Sequence, residues 1–379
     1  MQEGLFGAKG RFGFGCMRLP MASGEIGFDG EVDIDQVKDM VDAFMDAGYN
    51  YFDTAHGYTA GKSETALREC LVERYPRESF LLVDKLTGNH WETEADIRPL
   101  LEEELQACGV DYFDALLMHA QNGEFYKRYK ENGAYRIALE FVAEGKARHF
   151  GISFHGKAAD LELILDEQPA IEVVQLQLNY MDYEDNSVEG RKCYEACERR
   201  GVPVVVMEPL RGGSLVDLPQ EAKAVVEALP GGVTPAELAL RWCAELPNVA
   251  MVLSGVSTLQ QMQQNCATLA NPQPLTTQEK DAIDGVRAVF DNMDLIRCTA
   301  CRYCVGSCPQ NIAIPDLFSV MNTHEMYHNW NSGWYYMVYT QTHGAAKDCI
   351  ACGSCVAECP QGLDIPALME KVSAQFDKD

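Results

Sequence analysis

Basic residues are scarce in this chain: 31 Lys and Arg stand against 57 Asp and Glu, a formal charge of −26 over 379 residues. That balance repels phosphate backbones and anionic lipid, so neither nucleic acid nor a membrane surface is expected as a partner. There is also no run of about 18 apolar residues, the length a membrane-spanning helix needs. Met1-Gln2-Glu3-Gly4 is not a basic segment leading into an apolar one, so no export signal is expected. A cytoplasmic, reducing setting follows, and it excludes a disulfide framework for the 15 cysteines. A G-x-G-x-x-G turn opening a helix is missing too. Gly10, Gly13 and Gly15 instead form G-x-x-G-x-G around the first candidate strand, with no acidic residue at the right distance beyond. This argues against an open dinucleotide-binding sheet. No flavin fingerprint is recognisable.

What is present is a doubled cysteine run. Cys298, Cys301, Cys304 and Cys308 follow C-x2-C-x2-C-x3-C with Pro309 next, and Cys349, Cys352, Cys355 and Cys359 repeat it with Pro360 next. This is the spacing of bacterial-type [4Fe–4S] ligation, in which the fourth Cys of each run serves the other cluster. Three thiolates at three-residue steps wrap one corner of a cubane, and the fourth ligand comes from elsewhere. Structural zinc would use paired knuckles and leave the third Cys surplus. Two [4Fe–4S] clusters are therefore expected. Seven of the 40 residues between the runs are aromatic: Phe318, Tyr327, Trp330, Trp334, Tyr335, Tyr336 and Tyr339. They read as packing between helices over Asp316–Met321 and Gly333–Thr340, with another helix over Ile365–Ala374. A mainly helical ferredoxin-type domain is expected.

Before this region, short apolar runs alternate with segments of helical period. Strands are expected at Phe12–Cys16, Tyr51–Asp53, Phe80–Lys85, Phe113–Met118, Ala147–Ser153, Val173–Leu178, Val204–Met207 and Met251–Ser254. Helices are expected at Ile34–Ala47, Ser63–Tyr75, Glu94–Cys108, Ala134–Glu144, Ala159–Asp166, Val188–Arg200, Pro235–Leu246 and Leu259–Ala267, with one more at Thr277–Asp291. Gly48, Gly109, Gly145 and Gly201 suit helix C-termini. Eight β-α units predict an α/β fold, a (β/α)8 TIM barrel, over residues 1–293, with the ferredoxin-type domain over 294–379. The charge is uneven: Leu295 onward holds 5 Lys/Arg and 8 Asp/Glu, so that region is nearly neutral.

Active sites of such barrels lie at the C-terminal strand ends. Asp53 ends the second expected strand, with Tyr58 in the following loop. Lys85 ends the third, and His119 follows the fourth. These four make a coherent acid catalyst. Tyr58 protonates a carbonyl oxygen, a nearby Lys85 cation lowers its pKa from about 10, Asp53 aims Lys85, and His119 bonds the same oxygen. His56 and His155 lie in strand-end loops and read as solvated or structural, with approach to the pocket the alternative. Cys193 and Cys197, four apart on one helix, read as packing.

The stretch Gly48-Tyr-Asn-Tyr-Phe-Asp53-Thr-Ala-His-Gly-Tyr58 with Ser63-Glu64 resembles the opening signature of the aldo/keto reductases. Asp111-Tyr-Phe-Asp114 through His119, Gly151-Ile-Ser153, Val174-Gln175, Pro209-Leu210, Gly255 and Asn265 continue the resemblance in order. The whole chain resembles the bacterial branch with an appended 4Fe–4S domain. The resemblance implies NAD(P)H without flavin, and the tetrad Asp53, Tyr58, Lys85 and His119. It implies cofactor contacts at Ser153, Gln175, Met207, Pro209, Leu210, Arg211, Gly255, Gln261 and Asn265. Phe154 stands where the family usually has Asn, and Met207 where many members stack an aromatic on the nicotinamide. Gly255 and Gln261 are neutral where NADPH users carry basic residues, so the reading leans to NADH.

A nicotinamide gives two electrons as hydride, whereas each cluster passes one at a time. Three functions satisfy the sequence. The first is an oxidoreductase acting on a small carbonyl or alcohol, whose clusters exchange electrons; it needs a flavin, a radical step or a redox partner protein. The second is a carbonyl reductase with a structural iron–sulfur domain. The third is an electron-transfer protein with a non-catalytic barrel. The intact tetrad counts against the third, and two complete runs against the second.

Overall fold

The computed structural model describes residues 4–23, 30–185, 188–327 and 331–377. Eight parallel strands close in chain order: β1 (Phe12–Gly15), β2 (Tyr51–Asp53), β3 (Leu81–Leu86), β4 (Phe113–Gln121), β5 (Ala147–Phe154), β6 (Val173–Gln177), β7 (Val204–Met207) and β8 (Val249–Gly255). The helices around them and beyond are α1 (Ile34–Asp46), α2 (Ser63–Leu67), α3 (Glu94–Cys108), α4 (Gly123–Glu131), α5 (Ala134–Ala143), α6 (Ala158–Glu167), α7 (Gly190–Arg200), α8 (Gln220–Glu227), α9 (Pro235–Glu245), α10 (Leu259–Ala270), α11 (Thr277–Asp291), α12 (Ile314–Tyr327), α13 (Asn331–Thr340), α14 (Ser354–Ala357) and α15 (Ile365–Phe376). The expected barrel is the observed one.

Period-2 alternation separates two cores. Leu81 and Val83 of β3 join Tyr51, Ala115, Leu117, Val173, Val205, Met251 and Leu253 inside the barrel. Leu82 and Leu86 of the same strand turn outward to the helices. Gly13 sits opposite Tyr51 and Leu253. A Cβ there would come within 2.5 Å of Leu253 and 2.9 Å of Tyr51, so a side chain on β1 would displace the two that fill the interior. Helix ends follow local chemistry. Asp33 caps α1 through the Gln36 amide at 3.0 Å, and Thr93 forms a capping box with Asp96 on α3. Gly48, Gly109, Gly145 and Gly201 all adopt positive φ, as expected of helix C-termini.

Three local expectations change. The helix expected over Ser63–Tyr75 becomes α2 followed by a π turn at Arg68–Val72. β4 runs past Met118 to Gln121 through a register shift, with Ala120 at φ 52°, so His119 lies in a bulged strand and not beyond its end. The helices α4, α8 and the short α14 were not expected; α4 is hidden in the sequence by its charged residues, although Tyr126 and Tyr129 supply a buried face.

The described residues divide into two compact units, Met1–Leu210 with Ala236–Leu275, and Arg211–Pro235 with Thr276–Asp379. In the second unit α8 packs on α11. Its cysteine-bearing part has a core of its own, including Ile312, Leu317, Phe318, Tyr336, Ile365 and Met369. That part repeats internally at an offset of 51 residues. Left-handed backbone occurs at Ala300, Arg302 and Asn311 and again at Ala351, Gly353 and Gly362, and α12 and α15 each begin Ile-Pro. The aromatics there largely pack: Phe318 is buried, and Tyr336 is buried, stacked on Phe376 at 4.9 Å and bonded to Asp377 at 2.9 Å. Tyr335 is exposed. Trp330 and the side chains of Tyr327 and Trp334 lie outside the described residues. No helix among the described residues is long and apolar enough to cross a membrane.

Candidate active site

The sequence pattern puts Asp53, Lys85 and His119 on three adjacent strands, and the parallel register brings their ends to one rim. Lys85 is fully buried and donates to Asp53 Oδ1 at 2.6 Å and to the Thr54 carbonyl at 2.6 Å. Its ammonium lies 4.7 Å from the centre of the Tyr58 ring. The Tyr58 ring meets the His119 ring edge-on, with centroids 5.8 Å apart. All four expected residues are therefore brought together.

The electrostatics differ from the expectation in one respect. Burial pushes the Tyr58 phenol well above its ordinary pKa, and the Asp53 carboxylate adds to it. The expected lowering by Lys85 does not prevail over burial: the lysine is hydrogen-bonded to Asp53 and Thr54 and lies over the face of the ring. Burial also raises Asp53, opposed by Lys85 and by the Gln175 side chain. Burial holds His119 well below its ordinary value, with Lys85 reinforcing the effect, so its imidazole is neutral.

Thr87 is a member of this group that sequence reasoning missed. Its hydroxyl lies 2.7 Å from His119 Nδ1 and 3.2 Å from the Lys85 carbonyl. A polar residue two positions past a strand-end lysine was the available signal. Tyr129 also fixes the region, donating to the Leu86 carbonyl at 2.9 Å. His155 has a buried Nδ1 without a hydrogen-bond partner, and burial lowers its pKa to about 4. His56 pairs with Glu64 at 3.0 Å, and that bond raises its pKa.

The residues implied for the cofactor fall in several places. Ser153 Oγ accepts from the Ala120 amide at 2.8 Å and is buried. Gln175 is buried beside it on β6, and its Oε1 has no partner. Met207 ends β7, Pro209 is buried and Leu210 packs on the main core. Arg211 falls in the second unit, in a one-turn 3-10 helix. Gly255 ends β8, and a Cβ there would touch the Arg18 side chain at 3.5 Å. Arg18 in turn lies 4.0 Å from Glu208. Gln261 Oε1 accepts the Ser257 amide at 2.8 Å, and Asn265 donates to Ser254 Oγ at 3.1 Å.

The eight cysteines of the two runs gather in two pockets. Cys298, Cys301 and Cys304 line one together with Cys359. Cys349, Cys352 and Cys355 line the other together with Cys308. Each set thus takes its fourth member from the other run, as the spacing predicts. The other seven cysteines are buried, Cys193 and Cys197 within the main core.

Polar side chains gathered at the C-terminal strand ends of a closed (β/α)8 barrel mark the place where enzymes of this fold carry out their chemistry. The chain is a member of the aldo/keto reductase family, whose model matches residues 11–288. Residues 297–363 match the 4Fe-4S dicluster domain. L-galactose dehydrogenase of Arabidopsis thaliana is 26% identical over 299 residues, covering 74% of this chain and 90% of that protein. The NADH-specific methylglyoxal reductase of Escherichia coli (strain K12) is 25% identical, covering 60% of this chain and 82% of that protein. The solved aldo-keto reductase of Bacillus halodurans in its holo form is 25% identical with a TM-score of 0.58, covering 73% of this chain and 92% of that one. An aldo-keto reductase from Klebsiella pneumoniae in complex with NADPH has a TM-score of 0.56 at 21% identity, covering 72% of this chain and 89% of that one, and shares the fold.

Proposed function

We propose that this aldo/keto reductase reduces a small carbonyl, or oxidises the matching alcohol, with a nicotinamide cofactor in the barrel part (1–293), and that the part at 294–379 holds two [4Fe–4S] clusters that exchange electrons with a redox partner protein. The observation that carries the reading is the buried Lys85–Asp53 pair beneath Tyr58, with the neutral His119 ring against it.

NAD(P)H, when bound, supplies a hydride. The chain's own residues supply the rest. Tyr58 holds its proton firmly and gives it to the substrate oxygen as negative charge develops there. His119 orients that oxygen, and its contact with Thr87 fixes the ring. Lys85, held by Asp53 and Thr54 against the face of the ring, fixes the phenol in place beside the reacting oxygen. Gln175 and Ser153 fit a carboxamide. The unpartnered Gln175 Oε1 accepts an amide N–H, and the Ser153 hydroxyl, which already accepts from Ala120, still has a proton to donate. The neutral Gly255 and Gln261, with Gln261 Oε1 taken by Ser257, favour NADH over NADPH. Arg18 beside Gly255 is drawn toward Glu208. Two sets of four thiols around two pockets fit two clusters.

Anaerobic titration of the oxidised protein with NADH tests both parts at once. Bleaching of the iron–sulfur absorption is expected when carbonyl substrate is withheld and a catalytic amount of free flavin is added to split the hydride into single electrons. Carbonyl turnover without bleaching would leave the clusters a structural role, and absence of turnover with Tyr58 intact would remove the catalytic reading.

A further inference from the structure

Behind the catalytic lysine, on the outer face of β3, five ligand-type side chains converge. His56 comes from the turn after β2, Glu64 from α2, Asp84 from β3, and Glu104 and Cys108 from α3. One ligand atom each from His56, Glu64 and Glu104 lie within 4.8 Å of one another, and Glu64, Asp84 and Cys108 form a second such group sharing Glu64. The two glutamates, Asp84 and Cys108 are all buried. A separate observation singles out Glu104. Its side chain is wholly buried, and neither carboxyl oxygen has a hydrogen-bond partner.

An ionised carboxylate without a partner is too costly to leave in an apolar layer, so something must neutralise it. A proton on Glu104 would remove the charge. It would still leave a buried hydroxyl and a buried carbonyl oxygen without partners. A divalent cation answers both needs. With Glu64 and Glu104 as carboxylates and His56 as a neutral imidazole, the complex has zero net charge. Two carboxylates and one imidazole are an oxygen- and nitrogen-rich set suited to Mn2+ or Zn2+. Asp84 completes the surroundings: it accepts the Lys85 amide at 2.8 Å and lies 3.5 Å from Cys108 Sγ. His56, the least buried of the five, is where an ion would enter.

We propose that His56, Glu64 and Glu104 bind a divalent first-row transition cation, which ties α2 and α3 to the turn that carries Tyr58. The site is independent of the hydride chemistry and of the clusters.

The probe is Mn2+, an ion that prefers oxygen ligands and has little affinity for the thiolates that hold cluster iron. Anaerobic, oxidised holoprotein is titrated with MnCl2, and free Mn2+ is read from its EPR signal. One Mn2+ bound per chain is expected, with a rise in melting temperature. Glu104→Gln and His56→Gln should each weaken binding by about tenfold or more. Gln at 104 keeps the volume and removes the charge, so circular dichroism of that variant checks the fold. Two results overturn the proposal. One is no Mn2+ bound by the wild type at millimolar concentration, with Glu104→Gln at least as stable, which means that a proton neutralises Glu104. The other is equal binding by the wild type and both variants, which places the ion elsewhere.

Discussion

Lys85 Nζ stands 4.7 Å from the centre of the Tyr58 ring, and its two hydrogen bonds go to Asp53 and Thr54, none to the phenol oxygen. The tyrosine is therefore held as a neutral acid. Its phenol lies well above the ordinary value. An acid with a raised pKa keeps its proton below that pKa and loses it only as pH rises through it. Carbonyl reduction should stay flat from neutral well into alkaline pH, while alcohol oxidation, which needs the phenolate, should keep rising. Steady-state rates in both directions across that range check this. Tyr58→Phe should lower turnover by about 100- to 10,000-fold in either direction.

Removing the lysine has a second cost. Asp53 is buried, and Lys85 is its salt-bridge partner. Lys85→Met strands that carboxylate and should cost about 3–5 kcal/mol of stability, whereas the double change Lys85→Met with Asp53→Asn should recover much of it. Thermal melts of the three proteins measure the coupling.

The barrel was legible because burial on both faces of a parallel strand writes near-continuous apolar runs, and the glycines after the helices mark their ends. The tetrad was legible because polar residues at the ends of such runs are conspicuous. What could not be read was contact through the third dimension. Thr87 reaches His119 across strands, and Asp84 meets Cys108 of the helix layer. The bulge at Ala120 depends on a hydrogen bond from its amide to Ser153, 33 residues away, which no local pattern announces. The direction of the Tyr58 shift was misjudged for the same reason: the hold of Asp53 on Lys85 was foreseeable, but the deep burial of the phenol, which dominates the shift, was not.

The nicotinamide subsite makes a prediction of its own. Gln175 Oε1 is a buried acceptor without a donor. Gln175→Leu removes it and fills the space. Loss of one buried hydrogen bond costs about 1 kcal/mol or somewhat more, so the dissociation constant for NADH should rise by about tenfold. Fluorescence titration with NADH reads this directly. Unchanged affinity would mean that the carboxamide rests elsewhere.

Acid should destabilise the barrel through its histidines. Burial lowers His119 well below its ordinary value and His155 to about 4. A group with a depressed folded pKa binds fewer protons in the folded state than in the unfolded one. Its contribution is complete above the unfolded value of about 6.5 and is lost as pH falls toward the folded value. Each such histidine contributes a slope of up to about 1.4 kcal/mol per pH unit in that window. His155→Gln should therefore narrow the gap between melting temperatures at pH 6.5 and pH 5. An unchanged gap would show that His155 takes up its proton in the folded protein.

The crossed grouping of cysteines yields the sharpest test of the second part. Cys359 lines the pocket of Cys298, Cys301 and Cys304, and Cys308 lines that of Cys349, Cys352 and Cys355. Replacing Cys298, Cys301 and Cys304 together by Ala should leave one cluster, or about four irons per chain in place of about eight. That remaining cluster depends on Cys308. Adding Cys308→Ser should shift its EPR signal and potential, because an oxygen ligand replaces a thiolate. Adding Cys359→Ser should leave it unchanged. Ligation within each run would reverse the two outcomes: Cys359→Ser would perturb the surviving cluster, and Cys308→Ser would not. Iron content and EPR of the reduced variants, both prepared anaerobically, decide between the two arrangements.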